Sequence, residues 1–197
     1  IGSGLVGSEM CIRDRNYIDK KIMLQDIDTA RTWQPDVIIA CMHWGNEYQS
    51  LPSREQRQLA DWLLEQGVTH IIGSHPHVIQ PMELRTDSIA GAQLAVVYSL
   101  GNFISNMSKV NTDGGLIFTL ELEKDTTTST SPQVRVQRCG YNFVWTARPN
   151  FTKEKNYVLY PTDSTSISKL PEAARNHLNI FVKNSRKLLH QHNIGIK

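Results

Sequence analysis

Apolar residues follow two rhythms along this chain, and each predicts a different element. In "NYIDKKIMLQDIDTARTWQPD" Met23, Ile27 and Ala30 recur at i, i+4 and i+7, the spacing of one helical face. Pro35 keeps Gln34 out of helical geometry, so this helix should stop near Trp33. Residues 36–43, "DVIIACMH", are a nearly continuous apolar run, as expected of a strand covered on both faces. "LPSREQRQLADWLLEQG" returns to the helical rhythm. Ser53 and Gln56 make a capping box, Leu59, Trp62 and Leu63 the apolar stripe, and Gly67 the left-handed stop. "VTHIIG", 68–73, is a second short buried strand. Residues 36–73 therefore predict a βαβ unit with parallel strands and a right-handed crossover. "LAVVYSLGNF", 94–103, is a third apolar run that ends in a glycine turn. From 114 the period becomes two: Leu116, Phe118, Leu120 and Leu122 alternate with Thr119, Glu121 and Glu123. After the polar "DTTTSTSP", Val134 and Val136 alternate with Arg135 and Gln137, which predicts an antiparallel hairpin. Residues 149–168 read as turn-rich. "LPEAARNHLNIFVKNSRKLLH" predicts a terminal helix with Ala174, Leu178, Phe181 and Val182 inward and Pro171 in its first turn.

Composition changes this picture little. The chain has 197 residues, 40% hydrophobic and 20% charged, with a formal net charge of +2. That suits one globular domain, or one domain with an appendage. It argues against a nucleic-acid partner, because no basic stripe is present. No apolar run approaches the roughly 18 residues that a membrane span needs. Cys11, Cys41 and Cys139 form neither a disulfide framework nor a CxxC site. Residues 1–15 have no period and contain "SEMCIRDR", which resembles read-through of a sequencing adapter. They are expected to be a non-native leader. A main domain is expected over 16–145 and an extension with the terminal helix over 146–197.

The candidate chemistry lies where the apolar runs end. The first ends at "HWGNE", the second at "GSHPH", the third at "SLGNF". In an open α/β sheet, ligands bind at the carboxyl ends of the strands. Parallel neighbours would therefore bring His43, His75, His77, Glu47 and Asn102 to one rim. An extended His75-Pro76-His77 would point both imidazoles to one side, with Cα atoms roughly 6–7 Å apart. Such a pair can share one divalent ion or serve two, since paired ions sit about 3.5–4 Å apart. Blander roles compete at each position. His43 alone is more often a hydrogen-bonded surface residue. Glu47 can merely solvate a loop, Asn102 can merely occupy a turn, and Trp44 can be core or a substrate wall. His70 is expected to pack within its strand, Trp62 to be core, and His177, His190 and His192 to be solvated.

These motifs in this order, "HWGNEYQSLPSREQRQLADWLLEQGVTHIIGSHPHVIQPMEL" and then "VVYSLGNFISN", resemble the bacterial CapA family, named for poly-γ-glutamate capsule synthesis. That family belongs to the calcineurin-like metallophosphoesterases. The resemblance spans about residues 20–145. It implies an α/β sandwich of two sheets flanked by helices, with two divalent ions (Mn, Fe, Zn or Mg) at the strand ends. It places His43, His75 and His77 as metal ligands, with Gly73 in the glycine position of the last motif. Glu47, Asn102 and Trp44 are left as outer-shell or substrate-contact candidates. The family's earlier Gly-Asp and Asn-His motifs are absent, so the resemblance implies the C-terminal half of such a domain. It assigns no catalytic residue and implies that this piece alone is weakly metal-binding and inactive. Two functions follow as expectations. One is a phosphoesterase-like hydrolase acting, when full length, in capsule or envelope polymer assembly beside other synthesis proteins. The other is a non-catalytic module that binds polymer or a partner. Family members are often exported or anchored at the outer face, but the sequence itself does not give the compartment.

Overall fold

The helix signals are realised atom by atom. In a computed structural model, which describes residues 18–87, 91–126, 133–163 and 165–196, Asp19 caps α1 (Lys20–Thr32) by accepting from the Lys21 and Ile22 N–H groups. The leader assigned to 1–15 lies outside the described residues. Ser53 and Gln56 close a reciprocal box on α2 (Arg54–Glu65): Gln56 N–H donates to Ser53 Oγ at 3.2 Å and Ser53 N–H to Gln56 Oε1 at 3.0 Å. Two otherwise orphaned donors are thereby satisfied.

The first sheet contains β1 (Ile39–His43), β2 (His70–Ser74), β3 (Met82–Thr86) and β4 (Gln93–Val97), in the order β1-β2-β4-β3. The β1–β2 and β2–β4 pairs are parallel, as the βαβ pattern predicts, and β3 is antiparallel to β4. Successive residues of β4 serve opposite faces, with period two. Val96 joins the cluster under α1 and α2, with Ile27, Leu59, Leu63, Ile71 and Tyr98. Val97 joins the cluster on the other side, with Met82, Leu116, Trp145 and Phe181.

That second cluster is shared with a three-stranded sheet, β5 (Gly114–Asp125), β6 (Gln133–Ala147) and β7 (Val158–Pro161), in that order. β5 and β6 form the expected antiparallel hairpin. A short α3 (Pro149–Thr152) and a 3₁₀ turn (Thr165–Lys169) precede α4 (Glu172–His192). Pro171 is its N-cap rather than part of its first turn. All four expected inward residues of α4 are buried, and Phe181 meets Phe143 edge-on at 6.2 Å. The architecture is thus an α/β sandwich of two sheets flanked by helices. Among the described residues no helix is long and apolar enough to cross a membrane.

Two expectations need correction. β1 is not covered on both faces. It is an edge strand with Ile39 46% exposed and Cys41 exposed, and Met42 supplies its one well-buried side chain. The turn-rich segment 149–168 contains β7, and "MELRT" forms β3. Neither strand was anticipated.

His70 behaves as a packing residue. It is 2% exposed and its Nδ1 accepts from the Ala95 N–H at 3.1 Å. Burial pushes its pKa below the ordinary 6.5. Protonating Nδ1 would set two donors face to face. As pH falls through about 6.5 the unfolded chain gains this proton first, so stability present above that value is lost below it. Thermal unfolding of the wild type should therefore fall more steeply between pH 6.5 and pH 5 than that of His70→Asn. The ceiling is about 1.4 kcal/mol per pH unit. Parallel curves would show that this histidine is not held neutral.

Candidate metal centre

The carboxyl ends of the three parallel strands carry the candidate residues. His43 closes β1 and lies in register with Ser74, the last residue of β2. The next residue, His75, consequently meets His43, with ring centroids 4.5 Å apart. The His75 and His77 rings lie 5.9 Å apart.

The rings share a side, but not by the expected route. The His-Pro-His segment is not extended: His75 has φ +102° and His77 φ +61°. Positive φ is uncommon for residues with a Cβ, and such strain persists only where the surroundings over-determine it. Here both flanks are tied. Trp44 N–H donates to Ser74 O at 3.1 Å, Tyr48 N–H to Pro76 O at 2.8 Å, Leu100 N–H to Gly73 O at 3.0 Å, and Ser99 Oγ to Val78 O at 2.8 Å. The loops after β1 and β4 thus grip the turn from both sides.

Glu47 reaches this turn from the β1 loop. Its Oε1 lies 3.8 Å from His77 Nε2, and Glu47, His75 and His77 can each offer a ligand atom with all three atoms within 4.8 Å of one another. His43 is outside that trio and adjoins it through His75. Asn102 sits behind His77, with Oδ1 3.0 Å from Nδ1. Its Nδ2 donates to Thr112 O at 2.8 Å, which fixes the amide's orientation. Oδ1 must then accept from His77 Nδ1–H, and Nε2 is the ring nitrogen that faces Glu47. A fixed amide oxygen at one ring nitrogen of a histidine thereby orients the other.

Trp44 is a buried residue beneath this rim. It is 3% exposed, and its Nε1 donates to Tyr98 O at 2.8 Å. Three contributors had no place in the motif reading. Gln80, fully buried, donates to Gln49 O at 2.9 Å and Leu51 O at 3.2 Å and accepts from Gln56 Nε2 at 2.9 Å, fastening the Glu47 loop to α2. A lone amide inside the apolar "HVIQPM" was the available signal. Tyr48 stacks on His77 at 6.2 Å, and Lys109 Nζ sits 3.6 Å from its ring centroid. Desolvation first, then the hydrogen bond and charge of Glu47, push the Tyr48 phenol up. Its positive φ of +65° lies in a segment where no glycine pointed to it.

A donor set of two imidazoles and one carboxylate suits a first-row divalent ion. Ligand atoms about 2.0–2.1 Å from one ion lie at most about 4.2 Å apart. The Glu47–His77 separation falls within that reach, and the trio as a whole lies within 4.8 Å. The residues present therefore fit an ion after a small closure, or two adjacent ions.

Residues 6–107 match the family model described as bacterial capsule synthesis protein PGA_cap. The chain belongs to this family. The PGA biosynthesis protein CapA of Bacillus subtilis (strain 168) is 32% identical over 109 residues, which are 55% of this chain and 27% of that protein. The capsule biosynthesis protein CapA of Bacillus anthracis is 32% identical over 100 residues, 49% of this chain and 23% of that one. The chain spans about a quarter of the length of these curated relatives. The PGA_cap match takes in His43, Glu47, His75, His77 and Asn102. It ends before Lys109, the second sheet and α4. It begins inside the segment 1–15.

Asn102→Leu gives a direct check on the tautomer. Nitrogen-15 spectra of the metal-free chain should show His77 protonated at Nδ1 in the wild type and a mixture of tautomers in the variant. Metal affinity should fall by about 10–100-fold, the usual cost of losing an outer-shell partner. An unchanged tautomer would remove Asn102 from this role.

Proposed function

We propose that this chain carries part of a divalent-metal centre that serves capsule polymer biosynthesis, with phosphoesterase-type hydrolysis as the chemistry of the full-length protein. The observation that carries this reading is the convergence of Glu47, His75 and His77 within 4.8 Å at the ends of parallel strands. His75 and His77 would hold adjacent ions, with His43 beside His75 and Glu47 beside His77. Bound ions would lower the pKa of a coordinated water and polarise a phosphoryl or acyl oxygen. The chain's own contribution is placement. Asn102 keeps Nε2 of His77 available, Gln80 holds the Glu47 loop, and Tyr48 walls one side of the ring. Membership of the capsule synthesis family supports the polymer as the larger context, and other capsule synthesis proteins as partners.

One observation favours a second reading, a metal-structured module that binds polymer or partner without catalysis. Among the described residues a single carboxylate joins the histidines, whereas a two-metal hydrolase clamps its ions with several oxygen ligands. Metal analysis by mass spectrometry on a version extended upstream separates the two. Near two ions per chain, with hydrolysis of a phosphoester panel, supports the enzyme. Bound ions without turnover support the module, and absence of ions overturns both.

A further inference from the structure

We propose that the cavity between the His75–His77 turn and α4 is an oxyanion subsite, which takes a carboxylate or phosphate group of a ligand whose remainder reaches the histidines. The inference rests on the reading above only for the identity of that ligand, because the cavity contains none of the histidines. Ser50, Val78, Asn111, Asn184, Lys187 and Gln191 line a space of about 200 Å³. Drug-sized ligands fill roughly 300–1,000 Å³, so this space suits one side group and not a whole molecule.

Its charge is one-sided. Asn184 Nδ2 donates to Asn111 Oδ1 at 2.9 Å. That bond occupies the acceptor of Asn111, leaving its Nδ2 as a donor beside Lys187, Ser50 and Gln191. No acidic residue lines the cavity, and Lys187 is its charged member. The cavity lies toward the carboxyl end of α4, where the helix dipole disfavours an anion. The ammonium of Lys187 must therefore outweigh it, which makes that residue decisive.

Position links the cavity to the metal centre. Val78 directly follows His77, so their Cα atoms lie about 3.8 Å apart. Ser50 is three residues beyond Glu47. Asn111, at φ +66°, is two residues beyond Lys109, the lysine over Tyr48. A group seated here would lie beside the turn that carries the histidines. Its wall on the α4 side comes from residues beyond the PGA_cap match.

The test is an NMR titration of the 197-residue chain with inorganic phosphate and, separately, with glutarate, following the side-chain amides of Asn111, Asn184 and Gln191. We expect saturable shifts with at least one anion, and the anion that saturates names the group. Lys187 is exposed, so Lys187→Met should fold normally. In that variant the affinity should fall at least fivefold, and Lys187→Arg should restore it. The His75→Ala/His77→Ala variant should bind the anion as the wild type does. Shifts that never saturate, or that persist unchanged in Lys187→Met, overturn the subsite. Shifts lost in the histidine variant but kept in Lys187→Met would place the anion at the histidines, which overturns the subsite and leaves the metal reading standing.

Discussion

Replacing His75 and His77 together by glycine should give a chain that is more stable and binds less metal. Both residues sit at positive φ, +102° and +61°, where a Cβ is strained. Such strain costs about 1–3 kcal/mol per residue. Glycine relieves it and returns about 0.4–1 kcal/mol per site through a freer unfolded chain. The rings are only partly buried, so little packing is lost. The net gain should be about 1–2 kcal/mol for the pair, read as a higher urea midpoint at unchanged slope. Metal affinity, measured by calorimetry, should fall by more than the 10–100-fold that an outer-shell loss costs. Lower stability with metal uptake intact would mean that the turn is not strained and that the ions bind elsewhere.

Gly73→Ala should be the most damaging alanine substitution among the described glycines. A Cβ at this position would stand 2.1 Å from Tyr98 O, 2.5 Å from Trp44 Nε1 and 2.7 Å from Tyr98 C. The flexible end of a side chain could step aside, but these atoms cannot. Tyr98 is fully buried, and its carbonyl is the acceptor of the Trp44 indole. Overpacking usually costs about 1–3 kcal/mol. Here β2 and β4 must part, so the loss should reach about 3 kcal/mol or more by urea denaturation, with the His75 turn displaced as well. A cost below about 1 kcal/mol would mean that the strands are spaced more widely than described.

The contrast between these two positions shows what the sequence could disclose. Gly73 stood out because a glycine interrupts an apolar run just before a histidine pair. The convergence of the strand ends followed from the parallel order alone. Ser53, Gln56 and Gly67 announced α2 because capping is local chemistry. The backbone of His75-Pro76-His77 was not legible. Proline restricts its predecessor, but the positive φ values come from hydrogen bonds with loops more than 20 residues away in either direction. The bond from the Trp44 indole to the Tyr98 carbonyl was equally hidden, because its partner lies 54 residues away. The edge position of β1 was hidden because an apolar run reports hydrophobicity and not sheet order. β3 and β7 are short, and β3 carries Glu83 and Arg85, whose mutual ion pair at 2.6 Å allows charges in a strand that reads as a loop.

The segment after β4 belongs to both sheets at once. Leu116 N–H donates to Leu100 O at 2.9 Å, Asn102 N–H donates to Gly114 O at 3.0 Å, and Gly101 bridges Gly115. Only glycine fits at 115, where a Cβ would lie 2.6 Å from the carbonyl oxygens of Leu100 and Asn102. Native proteins open locally in cooperative units, and each unit has its own free energy. This seam joins the His77–Asn102 contact to the unit formed by the β5–β6 hairpin. Amide exchange at Asn102 will keep the hairpin's time, and each opening of the hairpin will release the tautomer of His77. A stretch of chain far from the histidines therefore sets how long the His77–Asn102 contact lasts.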